Sequence, residues 1–280
     1  MRRAVPAPRL ASAVLAFASL AFVGCAGGGP LLHPAHALPK GEVRVAAGLS
    51  ADAIGGGAAS SLTAARNEVA SDTSGALLND PAFVKGALVA AAIGPGIAPF
   101  ASARVGLGYD FEGGLAYTGR AARGDVRHAF TFGEDHAWAV SIGVGGSAVL
   151  YGREQGTTLP GVDLSDLKGY GADVPLLIGY RSAAGLYMIW FGVRGGWEHD
   201  QIAEVTSEPK AVTLGIPPVG LTADRYWGGG VLGVAMGFRN VHVALELDAQ
   251  VEYVTGQFGG TSASVTGASI VPATALWLEF

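Results

Sequence analysis

The clearest pattern in the chain is an alternation of apolar and polar side chains between Asn240 and Thr255. Every second position from Val241 to Tyr253 is apolar or aromatic, and the positions between them include the carboxylates Glu246, Asp248 and Glu252. Successive side chains of a β-strand point to opposite faces, so a period of two predicts a strand with one apolar and one polar face. This run is longer than most strands of soluble proteins.

The same alternation recurs along the rest of the chain and predicts about ten strands. We place them at residues 42–49, 97–109, 114–120, 125–132, 136–152, 170–181, 185–198, 225–238, 240–255 and 266–280.

Three of these strands carry an aromatic residue at both ends of the apolar face. The pairs are Tyr170 with Tyr180, Tyr187 with Trp197, and Tyr226 with Phe238. A tilted strand crosses a bilayer in about 9–11 residues, and aromatic girdles mark both interfaces of a membrane barrel. The polar residues share their face with glycine and alanine, as in a narrow lumen. We therefore predict an all-β fold, a membrane-spanning antiparallel up-and-down β-barrel, with eight or twelve strands as alternatives to ten.

Composition agrees with a membrane barrel. Only 15% of the residues are charged, against about 25% in typical soluble domains. Beyond the amino terminus no apolar run approaches the length of about 20 residues that a membrane helix needs. A soluble sandwich, in which the apolar faces pack on one another, is the alternative.

The net charge of −5, without a basic cluster, argues against nucleic acid as a partner.

The predicted connections alternate between tight and long. Tight turns are expected at 110–111, 133–135, 182–184 and 239–240; long loops at 50–96, 153–169, 200–221 and 258–264, with a short one at 121–124. Bacterial barrels place short turns in the periplasm and long loops outside. The barrel, residues 41–280, would then have periplasmic termini and a long first extracellular loop, 50–96. Within that loop, the apolar run 81–93 is either a short helix or an extra strand.

The amino terminus has the features of an export signal. Arg2, Arg3 and Arg9 precede an apolar run from Leu10 to Val23, and Cys25, the one cysteine of the chain, follows that run. The segment from Phe22 to Cys25 resembles the lipobox of bacterial lipoproteins. This resemblance implies a signal peptide over 1–24, an acylated Cys25 as first mature residue, and lipoprotein-processing enzymes as partners. The residues that follow are rich in Gly, Pro and Ala and lack an apolar period, so we predict a periplasmic tether over 25–40. Cleavage after Ala35-His36-Ala37, which would discard Cys25, is the alternative.

The carboxyl terminus alternates through Thr274, Leu276 and Leu278 to a final Phe280. This ending resembles the C-terminal assembly signal of outer-membrane barrel proteins. It implies the barrel-assembly machinery and the lipid bilayer as partners, and the bacterial outer membrane as location.

Charged residues on the inward face form the candidate site. Arg104, Arg194, Glu246 and Asp248 fall near the middle of their strands, and we expect Arg194 to reach across a glycine-rich strand to Glu246 or Asp248. Small barrels are largely filled by their own side chains, so we interpret these residues as a structural ion-pair network. The functional alternative is a charge-lined constriction in a narrow, porin-like channel for small solutes.

A hydrolase is the third possibility, because some ten-stranded outer-membrane barrels are proteases with acidic and histidine residues at the extracellular rim. His199 and Asp200 end one predicted strand and Asp224 begins the next. Adjacent residues of a strand point to opposite faces, however, and no paired aspartates accompany them. We therefore predict no catalytic residue, metal site or cofactor. The expected role is structural, or surface contact with an unidentified ligand through loops 50–96 and 200–221.

Overall fold

The computed structural model describes residues 29–71, 77–152, 159–205 and 219–280. Its strands form one closed antiparallel barrel, in which each strand pairs with its neighbours in the sequence and the first pairs with the last. The predicted fold class and the count of ten strands are confirmed. The strands are β1 (Val43–Gly55), β2 (Gly96–Gly108), β3 (Phe111–Tyr117), β4 (Ala121–Phe132), β5 (Trp138–Val149), β6 (Lys168–Arg181), β7 (Tyr187–Ile202), β8 (Leu221–Phe238), β9 (Val241–Phe258) and β10 (Thr261–Glu279).

The exterior of the barrel is apolar. Along β9, residues that point outward are exposed and residues that point inward are buried, in strict alternation from Val241 to Tyr253. The same arrangement exposes Leu115, Phe130 and Leu232 on other strands. The outward faces are thus the apolar ones, as the alternation predicted, and they do not pack on one another as a soluble sandwich would require.

The two ends of the barrel differ in their connections. The start of β1, the end of β10 and the connections β2–β3, β4–β5, β6–β7 and β8–β9 lie at one end, which we call the turn end. The other five connections lie at the opposite end, the loop end. A short 3₁₀ helix, Glu134–His136, is part of the β4–β5 connection.

Two connections at the loop end are shorter than predicted. β9 and β10 are joined by Gly259 and Gly260 alone, both at positive φ, so the predicted loop 258–264 is a two-residue hairpin turn. The β3–β4 connection lies at 118–120, and the predicted loop 121–124 belongs to β4. Glycine and small polar residues suggested loops there, but strand pairing overrides that preference.

The connection between β1 and β2 forms a helical hairpin. Helix α1 (Gly56–Ser71) packs on helix α2 (Pro81–Ala92), which follows a 3₁₀ turn at Leu77–Asn79. The run 81–93, left open as helix or strand, is therefore mainly helical. Asp80 begins α2 by accepting hydrogen bonds from the N–H groups of Ala82 and Phe83, and Pro81 follows the cap. None of the helices in the described ranges is long and apolar enough to cross a membrane.

Residues 29–40 are not a periplasmic tether in the structure. Leu31, Leu32, Ala35 and Leu38 are almost fully buried, and the first three pack against inward-facing side chains of the barrel, among them Trp190. The sequence offered no apolar period over this stretch because it is neither helix nor strand. The segment runs from Lys40 at the turn end into the lumen, where Gly29 lies beside Arg194 and Thr118. Cys25 and the predicted signal peptide lie outside the described residues.

Candidate functional site

One wall of the lumen carries a continuous chain of alternating arginines and carboxylates. In order of contact its members are Arg127, Glu112, Arg104, Asp125, Arg123, Asp173 and Arg194. They come from β2, β3, β4, β6 and β7, and no side chain among them is more than 5% exposed. Each carboxylate touches two arginines. We call this set the arginine–carboxylate chain.

Arg123 and Asp173 form one of the two-point links in this chain. The guanidinium contacts both carboxylate oxygens, at 2.7 Å from Nε and 2.8 Å from Nη2, while Arg194 approaches the same carboxylate at 3.1 Å. Two-point contacts of this kind are strong and fix orientation as well as distance. Buried charges are tolerated only when paired and hydrogen-bonded, and this chain meets that condition.

The opposite wall holds Glu246. Its oxygens accept hydrogen bonds from the N–H groups of Leu31 at 2.6 Å and Leu32 at 2.9 Å, and from Trp190 Nε1 at 2.9 Å. Leu32 has a φ of +47°. Consecutive N–H groups in such a turn converge on one anion, which is a recognised way for a backbone to bind a carboxylate.

The arginine–carboxylate chain binds the same luminal segment from its own side. Arg127 donates to the carbonyl oxygens of Pro34 and His36, Arg194 donates to that of Gly29, and Glu112 accepts from Leu38 N–H at 2.8 Å. All these contacts go to main-chain atoms. The lumen therefore holds residues 29–38 much as a receptor holds an extended peptide.

The loop end of the lumen is filled by apolar residues. Nine of the twelve residues of α2 are buried, and Phe83 packs its ring 5.9 Å from that of Phe258 on β9. Residues 159–167 and the upper parts of the surrounding strands complete this cluster. Arg120 donates to the carbonyl oxygens of Ala91 and Ala92 at 2.7 and 2.8 Å, at the carboxyl end of α2, where a cation is favourable.

Little space remains between these fillings. A cavity of about 60 Å³ lies beside Gly29 at the inner end of the luminal segment and is lined by Arg120, Arg194, Glu198 and Trp227, among others. At the turn end a vestibule of about 490 Å³ lies below the segment, with Arg44, Arg181 and His242 in its wall.

The four residues predicted as a luminal network are all buried inside the barrel, but with other partners than expected. Arg194 contacts Asp173 and stacks over Trp227, at 4.9 Å from the ring, instead of bonding Glu246 or Asp248. Arg104 bonds Glu112 and Asp125. Asp248 is fully buried, and its oxygens have no hydrogen-bond partner among the described residues. The glycine-rich strand between Arg194 and the two acids is instead covered by Trp190, whose ring would lie 2.0 Å from a Cβ on Gly233.

Two essential members of the arginine–carboxylate chain were missed from the sequence. Glu112 fell between predicted elements, and Arg123 was assigned to a loop, because both lie close to the ends of the short β3–β4 hairpin. Both nevertheless lie on the inward face: Glu112 pairs with Arg127 across the hairpin, and Arg123 shares the buried positions of β4 with Asp125 and Arg127. Correct strand limits would have revealed them.

The rim residues considered for hydrolysis do not form one group. His199 Nδ1 lies 2.9 Å from Asp224 Oδ1 on the outer surface, where Trp197 Nε1 also donates to Asp224 at 3.2 Å. Asp200 points inward and is fully buried, 3.8 Å from Arg120. The opposite orientation of His199 and Asp200 follows from strand geometry.

The predicted girdle residues lie where the alternation placed them, on the outward face. Tyr170 and Trp197 touch edge to face at 5.5 Å near the loop end, and Tyr180 lies 5.9 Å from Tyr187 near the turn end. Tyr226 and Phe238 are exposed at the two ends of β8. At the carboxyl terminus, Leu276 and Leu278 lie on the outward face of β10, and the exposed Phe280 follows the end of that strand. Trp277 points inward.

A metal site is absent from the described ranges: no group of three or more His, Cys, Asp or Glu side chains there is arranged to hold an ion.

No family model and no curated protein matches the sequence. Among solved structures, the chain is similar to neisserial surface protein A, with 12% identity and a TM-score of 0.32, over 85% of this chain and 96% of that chain. It is also similar to the CymD monoaromatic hydrocarbon channel, with 10% identity and a TM-score of 0.22, over 87% of this chain and 89% of that chain. At such TM-scores neither likeness bears on what this chain binds or passes.

Proposed function

We propose that this chain is an exported bacterial outer-membrane barrel that works as a closed scaffold, with a structural role or a role in surface contact through its loop end. The observation that carries this proposal is the distribution of polarity. The exterior is apolar around the barrel, while the interior is filled by paired charges, the luminal segment and α2. A bilayer is the solvent that suits such an exterior.

Membrane insertion is tested by the electrophoretic mobility of the protein from the outer-membrane fraction, with and without boiling. A folded barrel should migrate differently from its boiled form. Recovery of the protein in the soluble periplasmic fraction, with no such shift, would contradict the proposal.

A narrow channel is the competing function, and planar bilayers separate it from the scaffold. We expect no regular conductance steps from the folded protein, because α2 and residues 29–38 occupy the lumen from both ends. Reproducible steps from a sample with verified heat-modifiable mobility would favour the channel. Hydrolysis has weaker support still, since His199 and Asp224 face outward and Asp200 inward.

Export and assembly complete the proposal. The lipobox-like residues before Cys25 support acylation by lipoprotein-processing enzymes, and the outward face of Leu276, Leu278 and Phe280 supports recognition by the barrel-assembly machinery. Metabolic labelling with a radioactive fatty acid tests the first part. Wild type should be labelled and Cys25→Ala should not, and equal labelling of both would refute it.

A further inference from the structure

The interior wall of the barrel contacts residues 29–38 in a way that is unusual for a loose terminal segment. Six hydrogen bonds join charged wall residues to its main chain, through Gly29, Leu31, Leu32, Pro34, His36 and Leu38. Recognition of the backbone along nearly its whole length is how proteins bind extended peptides.

The wall also leaves room for this backbone. A Cβ on Gly106 would lie 2.0 Å from the carbonyl oxygen of Pro39 and 2.5 Å from that of Leu38, and a Cβ on Gly179 would lie 3.1 Å from the Cβ of Ala35. Any side chain at Gly106 would collide with the segment. Glycine at these inward positions therefore permits the close approach.

The wall residues depend on the segment for their own hydrogen bonds. Without residues 29–38, Glu246 would keep only Trp190 of its three donors, and Arg127 would lose both carbonyl acceptors. Both side chains are at least 96% buried. The segment itself contributes to this burial, so in its absence water would have to enter the lumen and replace these hydrogen bonds.

We propose that the luminal wall is a binding site for an extended peptide, that its resident ligand is residues 29–38 of this same chain, and that export processing leaves this segment in the mature protein. Processing must then occur upstream of Gly29. This deepens the proposed function and rests on its export route, because cleavage after Ala37 would remove the ligand, whereas cleavage before Cys25 retains it.

The mass of the amino terminus tests retention directly. The protein is purified from the outer-membrane fraction, and its first peptide is identified by mass spectrometry. A first residue at or before Gly29 is expected. A mature chain that begins at Leu38 would overturn the proposal while leaving the membrane location intact.

A second measurement tests the luminal position in the full-length protein. The pair Ala35→Cys with Gly179→Cys brings two Cβ positions close to the separation of a disulfide, about 3.5–4.5 Å. The double variant should form an intramolecular disulfide that changes its mobility without reductant, whereas either single variant should not.

Thiol labelling tests the luminal position even if the disulfide between positions 35 and 179 does not form. In the single variant Ala35→Cys, a maleimide should react at least roughly tenfold more slowly with the folded band than with the unfolded protein, because exposure requires local opening. Equal rates in protein that keeps its heat-modifiable mobility would overturn the luminal position, whatever the result of the bilayer experiments.

Discussion

In the turn-end half of the lumen, charged side chains bind the backbone of an extended segment. In the loop-end half, apolar side chains pack against the side chains of a helix. Glu246 and Arg127 represent the first half, and Phe83 of α2 represents the second. The barrel thus fills its lumen in two ways, by polar contacts in one half and by apolar packing in the other. Apolar packing depends on volume, whereas the polar half depends on every partner being present.

The largest effect should come from the apolar half. Phe83→Ala removes a fully buried ring beside Phe258, and loss of a buried phenylalanine costs about 3–5 kcal/mol. The urea midpoint of the folded band in detergent measures it. Phe130→Ala, on the exposed outer face, is the matched control and should shift the midpoint much less. Equal shifts would mean that α2 does not stabilise the barrel.

Asp173→Asn tests the arginine–carboxylate chain at the point where it connects Arg123 with Arg194. Removing one partner of a buried ion pair costs about 3–5 kcal/mol, and we expect the lower end because asparagine still accepts a hydrogen bond. The same urea titration measures it. Asp166→Asn, outside the strands, is the control. A neutral result for Asp173→Asn would show that the chain adds little stability.

A pair of acids on one face of β9 sharpens the comparison further. Glu246→Gln weakens charge-assisted bonds to Leu31 and Leu32 and should cost about 1–3 kcal/mol. Asp248→Asn, two residues away, should be neutral or stabilising, because its buried carboxylate has no hydrogen-bond partner among the described residues. In detergent, the thermal midpoint should be lower than that of wild type for Glu246→Gln, and equal to or higher than that of wild type for Asp248→Asn. The reverse order would contradict our account of the luminal segment.

The smallest effect is expected at the start of α2. Asp80→Ala removes the cap from the N–H groups of Ala82 and Phe83 and should cost about 1 kcal/mol. Hydrogen exchange of these amides, compared with those in the middle of α2, measures the local loss. Asp80→Asn should recover most of it, and a variant without faster exchange would show that packing alone holds this end.

The sequence predicted the wall of the barrel far better than its contents. The period of two is a local signal, and β9 shows it without interruption. The luminal segment has no period, because its main chain bonds to side chains that are distant in sequence, such as Glu246. A short apolar run such as 81–93 is ambiguous between helix and strand until its surroundings are known. Glu112 was missed for a third reason, since errors of strand limits matter most in the shortest strand, β3.

In the proposed membrane setting, the unequal length of the strands has a consequence for the surrounding lipid. β3 has 7 residues and β10 has 19. At about 3.4 Å per residue and a tilt of about 40°, these lengths correspond to roughly 18 and 50 Å along the membrane normal, against an apolar band of about 25 Å. Lipids beside β3 would have to shorten or the bilayer thin locally, while β10 would rise beyond the headgroups. The barrel would then have a thin side and a tall side, and neighbouring molecules in the membrane could distinguish them by hydrophobic thickness alone.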